Sequence, residues 1–549
     1  MKPLFRNLNT GFFSPTLSAQ QFILLLSVLM MVVYNKALWT LVFNVPAEIT
    51  ITSVFFFASF FVLIVSIFNI LLTLVGFKYI LKPLAIFIVM SAAFASYFMN
   101  SYGIMIDKTM VQNTMETDPG EVMDLLTLQM LADVTLMGIL PALMISRTRI
   151  TYRSIFGELK VRTISIILSV MVVGLVATAF YKEMSSMFRN HREIRHLIVP
   201  SNYIYYSLRY LSGAYDKREV TMQAIGTDAK LAKIWENQDK KVVTIVVLGE
   251  TARAMNFSLN GYERNTNPAL SKENVINFPN TQACGTSTAV SVPCMFSNMT
   301  RKTYKEETVR SRENVLDVLS HAGLSVMWRD NNSGCKGVCN RIESQRPAVY
   351  RADEFCKGEK CHDEVMLNKL DDYLEKAQNN AVIVLHQLGS HGPAYSLRYP
   401  PEFKKFTPVC ETSNLQSCSQ QEIVNAYDNT ILYTDYFVSQ VINFLKARSD
   451  KYTTAMLYMS DHGESLGEGN IYLHGLPYFM APETQTQVPF ITWLSQDYIK
   501  NFQVDETCVK EKTSTAVTHD DLFHSLLGLM AVETSVYNAD NDLFGTCRR

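Results

Sequence analysis

The sequence predicts a membrane domain of five helices followed by an exported α/β domain, in which helices flank a mostly parallel sheet. Three observations support this prediction. Apolar runs dominate residues 20–181 of the 549-residue chain, short apolar runs alternate with helical patterns after residue 189, and all ten cysteines lie in that second part. We therefore expect a transmembrane domain at residues 1–182, an interfacial linker at residues 183–235 and a soluble α/β domain at residues 236–549.

Five apolar stretches are long enough to cross a bilayer core as helices, which takes roughly 20 residues, although the third is short. They are Phe22–Phe43, Ile51–Phe77, Pro83–Phe98, Val122–Ile145 and Thr163–Tyr181. The first has no small-residue cleavage site behind it, so we interpret it as a span and not as a signal peptide. Basic residues precede the first span and fill the connections between spans two and three and between spans four and five. The positive-inside rule then predicts a cytoplasmic amino terminus, and an odd number of spans exports everything after Tyr181.

The linker Lys182–Leu211 mixes four arginines with four tyrosines. Basic and aromatic residues together are typical of the bilayer interface, although a solvated helix could have the same composition. The formal net charge is −1, so the chain lacks the excess of basic residues that would indicate binding to nucleic acid.

The cysteines fall into near-neighbour pairs, and none lies in a span or a cytoplasmic connection. The pairs are Cys284/Cys294, Cys335/Cys339, Cys356/Cys361 and Cys410/Cys418, with Cys508 and Cys547 remaining. An even number of cysteines in an exported domain indicates disulfides. Spacing does not fix the connectivity, and pairing between neighbours is the simplest hypothesis. A zinc site formed by the second and third pairs is the alternative, and an oxidising compartment argues against it.

Buried strands are predicted at Val242–Gly249, Ser325–Asp330, Ala381–Gly389 and Thr453–Asp461, which are short apolar or β-branched runs. Such runs suit strands buried on both faces of a parallel sheet. Helical patterns at Asp363–Gln378 and Gln420–Arg448 lie between them. The order indicates a doubly wound α/β domain.

Polar residues follow these strands, at the sheet edge where parallel α/β domains bind ligands. They are Glu250, His391, Asp461 and His462, with His474 a little further along. Glutamate, aspartate and histidine together are a suitable ligand set for Zn²⁺. Taken singly, Glu250 could begin a helix and Asp461 could belong to a turn. His386 lies inside an apolar run, so we interpret it as a buried core histidine.

The stretch CGTSTAVSVPC, from Cys284 to Cys294, is rich in hydroxyl side chains. A serine or threonine hydroxyl becomes a useful nucleophile at neutral pH when a divalent metal ion lowers its pKa. A disulfide across the loop would hold such a hydroxyl against the ion. The alternative is a loop that is cross-linked for stability alone.

Several motifs resemble those of the lipid A phosphoethanolamine transferases, which include the mobilised colistin-resistance enzymes. The motifs are GETARAMNFSLNGYERNTNP (249–268), FPNTQACGTSTAVSVPCMFS (278–297), DNNSGCKGVC (330–339), GSHGP (389–393), SDHGESLGE (460–468) and YLHGLP (472–477). The resemblance covers the whole chain. It implies that the exported domain is similar to sulfatases and alkaline phosphatases, and that the chain is a multi-pass protein of the Gram-negative inner membrane with a periplasmic catalytic domain.

The resemblance also implies roles for individual residues. Thr288 is expected to be the nucleophile, and one zinc ion is expected to be bound tightly by Glu250, Thr288, Asp461 and His462. His391 and His474 match a second histidine pair that serves in substrate binding, proton transfer or binding of a second zinc ion. Residues expected to bind substrate are Lys336, Ser333, Asn113, Thr117 and Glu121.

The implied reaction moves phosphoethanolamine from phosphatidylethanolamine to a phosphate of lipid A through a covalent adduct on Thr288. The modified surface would be less negative and would bind polymyxin and other cationic peptides less strongly. We expect membrane lipids as further partners and a monomeric chain. A phosphoglycerol transferase, a phosphatase or a sulfatase is the enzymatic alternative, although the hydroxyl loop lacks the arginine context of sulfatase maturation. A membrane sensor without activity is the non-enzymatic alternative.

Overall fold

The structure, a computed structural model, describes residues 15–45, 50–117, 119–215, 221–358 and 360–548, without the side chains of residues 119–121 and 213–215. The chain divides into two compact units. The first comprises Met1–Asp107 and Leu128–Arg209, and the second comprises Lys108–Thr127 and Tyr210–Arg549. The segment that precedes the fourth apolar span therefore packs with the α/β part of the chain. The domain boundaries at residues 182 and 235 stay predictions.

The first unit is helical. Its helices are α1 (Ala19–Val33), α2 (Lys36–Asn44), α3 (Ile51–Val75), α4 (Leu81–Tyr102), α7 (Leu128–Arg147), α8 (Ile155–Ala179), α9 (Tyr181–Asn190), α10 (Ile194–Leu197) and α11 (Ser201–Tyr215), of which the last continues into the second unit. Among the described residues, α3, α4, α7 and α8 are long and apolar enough to span a membrane, and α1 with α2 forms a fifth candidate that is bent by 64°. The membrane part thus contains four to five spanning helices, as the sequence predicts.

The bend between α1 and α2 has a local cause in Asn35. Its side-chain amide donates to the Met30 carbonyl at 2.9 Å and to the Val199 carbonyl at 2.8 Å. An inserted side chain that takes a helix carbonyl is a common cause of a kink. The predicted continuous span Phe22–Phe43 is therefore two helices.

Helix α8 begins before the predicted Thr163 because a buried charge is satisfied inside it. Arg162 donates to the carbonyls of Thr73 at 2.9 Å and Gly76 at 2.5 Å, at the end of α3. Hydropathy alone places the start of the span after such a charged residue. The helix itself begins earlier, because the neighbouring helix supplies acceptors for the charge. In α7 a π-helical turn at Thr135–Ile139 interrupts the regular helix.

The second unit contains an eight-stranded sheet. Its strands are β1 (Lys241–Gly249), β2 (Ile276–Gln282), β3 (Ser325–Asp330), β4 (Glu343–Gln345), β5 (Ala381–His386), β6 (Tyr452–Ser460), β7 (Gln487–Leu494) and β8 (Val517–Thr518), in the spatial order β8-β2-β7-β6-β1-β5-β3-β4. Only β7 runs antiparallel to its neighbours in this sheet. The predicted class, a mostly parallel sheet flanked by helices, is confirmed.

Helices cover both faces of this sheet. They are α12 (Thr288–Met295), α13 (Glu306–Arg310), α14 (Val315–His321), α15 (Pro347–Tyr350), α16 (Leu370–Lys376), α17 (Gln420–Lys446), α18 (Glu483–Thr486), α19 (Gln496–Asn501), α20 (Glu506–Lys512) and α21 (Leu522–Leu529), and the segment Lys108–Thr127 adds α5 (Lys108–Glu116) and α6 (Pro119–Leu125). Alternate residues of β1 enter two separate apolar cores, with Val242 and Val246 on one face and Val243 and Ile245 on the other. Burial on both faces explains the continuous apolar runs in the sequence.

One helix prediction was too long. The stretch Asp363–Gln378 forms a short 3₁₀ helix at Asp363–Leu367 and then α16, because Lys369 adopts a positive φ of 55° between them. Periodicity spans such a break without detecting it.

Five disulfides link neighbouring cysteines in the second unit. They join Cys284 to Cys294, Cys335 to Cys339, Cys356 to Cys361, Cys410 to Cys418 and Cys508 to Cys547. The alternative four-cysteine zinc site is therefore wrong, because its members are cross-linked in pairs. No cysteine in the described residues is free.

Candidate active site

The carboxyl ends of β1 and β6 bring together the polar residues of the site. Glu250 follows the last residue of β1, and Asp461 and His462 follow the last residue of β6, which is paired directly with β1. Thr288 is the first residue of α12, at the end of the hydroxyl-rich loop. These four predicted residues lie close together, at the sheet edge where parallel α/β domains are expected to bind ligands.

Thr288 lies within hydrogen-bonding distance of both Glu250 and His462. Its hydroxyl is 3.1 Å and 3.3 Å from the two Glu250 carboxylate oxygens and 3.4 Å from His462 Nε2. His462 Nδ1–H donates to the Gly463 carbonyl at 2.9 Å, which leaves the lone pair of Nε2 free to face the cluster. The hydroxyl is therefore surrounded by acceptors.

Glu250, Asp461 and His462 form a donor set that fits a metal ion. All three are buried, and one ligand atom from each lies within 4.8 Å of the others. Asp461 Oδ2 has no hydrogen-bond partner among the described residues, although it is buried. Buried carboxylate oxygens are normally paired, so this oxygen is available to a cation.

The charges of the cluster also favour a cation. Burial, and after it the adjacent Glu250 carboxylate, raise the pKa of Asp461 to about 6. Burial opposes ionisation of Glu250 too, but His462, His391 and His474 outweigh burial and lower its pKa to about 2. Two buried carboxylates in contact repel each other unless a positive charge lies between them.

His391 and His474 lie beside this cluster. The ring centroids of His391 and His474 are 5.2 Å apart, and those of His462 and His474 are 4.3 Å apart. His474 Nδ1 pairs with Glu464 at 2.7 Å, and the other Glu464 oxygen accepts from the Tyr395 hydroxyl at 2.6 Å. His391 Nδ1 has no hydrogen-bond partner in the described part of the chain. The second histidine pair is thus close enough to serve a group bound at Thr288.

Lys336 lies in the loop after β3, where the Cys335–Cys339 disulfide closes a tight turn. Its backbone has a positive φ of 50°, and its ammonium group donates to Ser333 Oγ at 3.0 Å. Asn332 in the same loop donates to Glu250 Oε2 at 2.8 Å. The predicted Lys336–Ser333 pair therefore belongs to a loop that reaches the cluster.

The segment Lys108–Thr127 also approaches the site. The Asn113 amide nitrogen and Met110 Cε lie 3.6 Å and 3.1 Å from the position that a Cβ on Gly475 would occupy, one residue after His474. The Thr117 hydroxyl donates to the Asn113 carbonyl at 2.6 Å. The side chain of Glu121 lies outside the described residues.

Sequence reasoning missed three residues around the cluster. Asn332 orients Glu250 and donates to the Gln387 carbonyl, Thr251 donates to Glu250 Oε1 at 2.5 Å, and Glu464 holds His474. Glu464 lies in the DHGE motif, so its neighbours could have indicated it. His386, interpreted as a core residue, is fully buried, and its Nδ1 pairs with Asp330 at 2.9 Å.

Comparisons with known proteins agree with this arrangement. Residues 64–215 match the family model for phosphoethanolamine transferases EptA/EptB, and residues 243–532 match the sulfatase model. Phosphoethanolamine transferase EptA of Escherichia coli K12 is 44% identical over 97% of this chain and 98% of its own length. Phosphatidylethanolamine transferase Mcr-1 of Escherichia coli is 40% identical over 83% of this chain and 85% of its own length. The solved structure of the integral membrane protein lipooligosaccharide phosphoethanolamine transferase A from Neisseria meningitidis superposes with a TM-score of 0.93 at 33% identity, covering 97% of this chain and all of that one.

A parallel sheet that presents a hydroxyl, two carboxylates and a histidine at its strand ends defines a sulfatase-like transferase or hydrolase. Helices able to span a membrane precede that domain in the same chain. The chain belongs to the EptA family of phosphoethanolamine transferases.

Proposed function

We propose that the protein transfers phosphoethanolamine from phosphatidylethanolamine to a phosphate of lipid A, with Thr288 as the group that carries it. The observation that supports this most directly is the Thr288 hydroxyl, 3.1–3.4 Å from Glu250 and His462 at the centre of the buried cluster. A hydroxyl so placed at the first turn of a helix can attack a phosphorus atom that enters from solvent.

Glu250, Thr288, Asp461 and His462 would hold one zinc ion. Zn²⁺ is suited to carboxylate and imidazole ligands, and bound there it would lower the pKa of the Thr288 hydroxyl and offset charge on the phosphoryl oxygens. Asp461 Oδ2, which has no hydrogen-bond partner in the described residues, and His462 Nε2, which lies 3.3 Å from it, support this assignment.

In the first half-reaction, Thr288 Oγ1 forms a bond to the phosphorus of phosphatidylethanolamine, and the bond from phosphorus to the diacylglycerol oxygen breaks. The Thr288 hydroxyl passes its proton to the Glu250 carboxylate, 3.1 Å away, and the diacylglycerol oxygen gains a proton from His391 or His474, which lie beside the cluster. Lys336 and Ser333 would bind the phosphoryl oxygens. Asn113, Thr117 and Glu121 would contact the donor headgroup from the segment beside Gly475.

In the second half-reaction, a phosphate oxygen of lipid A forms a bond to the phosphorus of the Thr288 ester, and the bond from that phosphorus to Thr288 Oγ1 breaks. Thr288 Oγ1 takes back the proton from Glu250, and the histidine that protonated diacylglycerol regains a proton from solvent. The product carries a phosphoethanolamine group in a new phosphoanhydride bond. Its added amine reduces the net negative charge of the lipid, so polymyxin should bind it less strongly. Because one covalent adduct separates two half-reactions, we expect ping-pong kinetics.

Both substrates are membrane lipids, which explains why a sulfatase-like domain is joined to spanning helices. We place the chain in the Gram-negative inner membrane with its amino terminus in the cytoplasm and the α/β domain in the periplasm. The basic connections and the five disulfides in the second unit support this orientation.

Mass spectrometry of the full-length protein after incubation with phosphatidylethanolamine alone tests the proposal. We expect a phosphoethanolamine adduct on Thr288, no adduct in Thr288→Ala, and loss of transfer by at least about 10³-fold in that variant because no other hydroxyl takes the nucleophile's place. Thr286→Ala in the same loop is the control, and it should retain the adduct. An adduct elsewhere, or transfer by Thr288→Ala, would contradict the assignment.

A further inference from the structure

His519 bridges two segments that carry the site, although it belongs to neither. Its Nδ1 accepts a hydrogen bond from the Cys284 backbone N–H at 3.1 Å, and its Nε2–H donates to the Ser460 carbonyl at 3.0 Å. Cys284 begins the loop that ends at Thr288, and Ser460 immediately precedes Asp461 and His462. One buried ring therefore joins the nucleophile loop to the strand end that presents the candidate metal ligands.

The fold delivers His519 to this position with little freedom. Strand β8 pairs with the end of β2, so that Thr518 lies opposite Gln282, two residues before Cys284. A capping box at Thr518 and Asp521 then begins the turn that contains His519. The side chain is 1% exposed, so neither hydrogen bond competes with water.

The two hydrogen bonds require one tautomer of the neutral ring, with the proton on Nε2. Burial lowers the pKa of His519 to about 3, so the ring stays neutral under ordinary conditions. Both ring nitrogens are thus occupied in holding backbone groups, and neither is available as a metal ligand or as a proton donor to substrate.

Other bonds fix the loop to different elements. Ala283 N–H donates to the Thr486 carbonyl, and the Thr286 hydroxyl donates to the Leu476 carbonyl at 2.7 Å. These bonds set the loop against α18 and against the segment that follows His474. Among the described hydrogen bonds of Cys284–Ser287, only that to His519 leads to the end of β6.

We propose that His519 is a positioning residue that sets the separation between Thr288 and the end of β6. The inference rests on the proposed function, since it concerns the placement of the proposed nucleophile. Displacement of a reacting group by about 1 Å can cost about 100-fold in rate. Loss of the bridge should therefore lower kcat and leave donor binding unchanged, because neither hydrogen bond of His519 involves Lys336 or the segment Lys108–Thr127.

The test compares His519→Leu, His519→Asn and His519→Gln in the full-length protein. Leucine removes both hydrogen bonds, asparagine keeps an acceptor near the Nδ1 position, and glutamine keeps a donor near the Nε2 position. His524→Leu is the matched control, because His524 is also buried and its Nδ1 also accepts a backbone N–H, from Asn538, at 3.1 Å. Asn538, which donates this hydrogen bond to His524, lies outside the candidate active site.

We expect His519→Leu to lower kcat for headgroup transfer by about 10- to 100-fold, with the KM for phosphatidylethanolamine and the zinc content within about twofold of wild type. Hydrogen–deuterium exchange of the Cys284 amide should accelerate in this variant, and His519→Asn should restore its protection and part of kcat. His524→Leu should leave both readouts unchanged.

The proposal is overturned if His519→Leu keeps wild-type kcat or wild-type exchange at Cys284. It is also overturned if kcat falls only in proportion to zinc lost, or if His524→Leu shows the same loss. Failure of the proposed function has a different signature, namely headgroup transfer by Thr288→Ala or none by the wild type. The amide exchange reports on the bridge in either case.

Discussion

At Glu250, a single carboxylate accepts hydrogen bonds from several neighbours at once. Thr251 donates to one oxygen, Asn332 donates to the other, and the Thr288 hydroxyl lies close to both. Asp461 differs, because its Oδ1 accepts backbone N–H groups of Thr251 and His462, while Oδ2 has no hydrogen-bond partner in the described residues and lies 3.3 Å from His462 Nε2. The neighbours of Glu250 fix its orientation, whereas Oδ2 of Asp461 is available for a cation.

Substitution Asp461→Asn should therefore remove zinc without unfolding the domain. The asparagine oxygen can still accept both backbone N–H groups, but one anionic ligand is lost, so we expect zinc affinity to fall at least about 100-fold. The thermal midpoint in a chelator should be equal to or higher than that of the wild type, because a buried like charge has been removed. Zinc titration and thermal unfolding in EDTA measure the two effects.

Asp363→Asn is the control for this experiment. Asp363 is also buried at this end of the sheet, but its carboxylate accepts four hydrogen bonds, from Asn331, Gln387, Leu388 and Gly389. Its substitution should lower the thermal midpoint and leave zinc affinity near wild type. Unchanged zinc affinity in Asp461→Asn would rule out Asp461 as a ligand.

Sequence alone singled out Glu250, Asp461 and His462 because each follows an apolar run that ends abruptly. Asn332 also follows a predicted strand, but its amide gives no sign of a role, and His519 follows no such run; both act through hydrogen bonds that only the folded chain creates. Residues that position others are therefore harder to predict than residues placed at strand ends.

Among the elements, the segment Lys108–Thr127, which connects the third and fourth apolar helices, reaches the backbone of His391 through an ion pair. Asp124 pairs with Lys360 at 2.6 Å and with Arg398 at 2.9 Å, and Arg398 Nε donates to the His391 carbonyl at 2.7 Å. The Arg398 side chain is 1% exposed. Asp124 thus neutralises a buried cation that holds the backbone of His391.

Substitution Asp124→Asn should slow transfer by about tenfold or more, because it leaves the buried Arg398 without a negative partner. An unpaired buried arginine either moves, and then no longer holds the His391 backbone, or lowers the stability of the domain. Steady-state kinetics and thermal unfolding of the full-length protein measure this effect. Glu116→Gln is the control, since it breaks a second ion pair of the same segment, Glu116 with Arg310 at 3.1 Å, which does not reach His391. Equal losses in both variants would mean that the segment acts only by packing against the domain.

Four of the eight strands, β2, β4, β7 and β8, escaped the sequence analysis, and for two of them the physical reason is clear. Strand β7 contains Pro489, which cannot donate to a neighbour, and the pairing register shifts between Val488 and Phe490 to accommodate it. Strand β2 contains Pro279 and several exposed residues, so it lacks a continuous apolar run. The four central parallel strands were predictable because both of their faces are buried and their apolar runs are continuous. In β2 and β7, proline or exposed residues interrupt that pattern.

For the whole molecule, independent features of the two units support the proposed orientation in the membrane. Basic residues occupy alternate connections of the first unit, and the five disulfides lie entirely in the second. Both features support the proposed orientation, with the amino terminus in a reducing compartment and the sheet in an oxidising one. The apolar helices themselves could be predicted closely, except where a polar side chain bends or extends them and at the fourth span, whose predicted start at Val122 lies in the separate helix α6.

Reporter fusions test this orientation. A fluorescent protein fused to the amino terminus should mature, and an alkaline phosphatase that is active only after export should be active when fused at the carboxyl terminus. Exchanging the two reporters is the control, and both signals should then be lost. Activity of the exchanged phosphatase fusion would place the amino terminus outside the cytoplasm and require an even number of spans.

The five disulfides close loops with sequence separations of only 4, 5, 8, 10 and 39 residues. Every disulfide joins two successive cysteines of the chain. Oxidation in order of export would therefore give the native connectivity directly, without reshuffling of wrongly joined thiols.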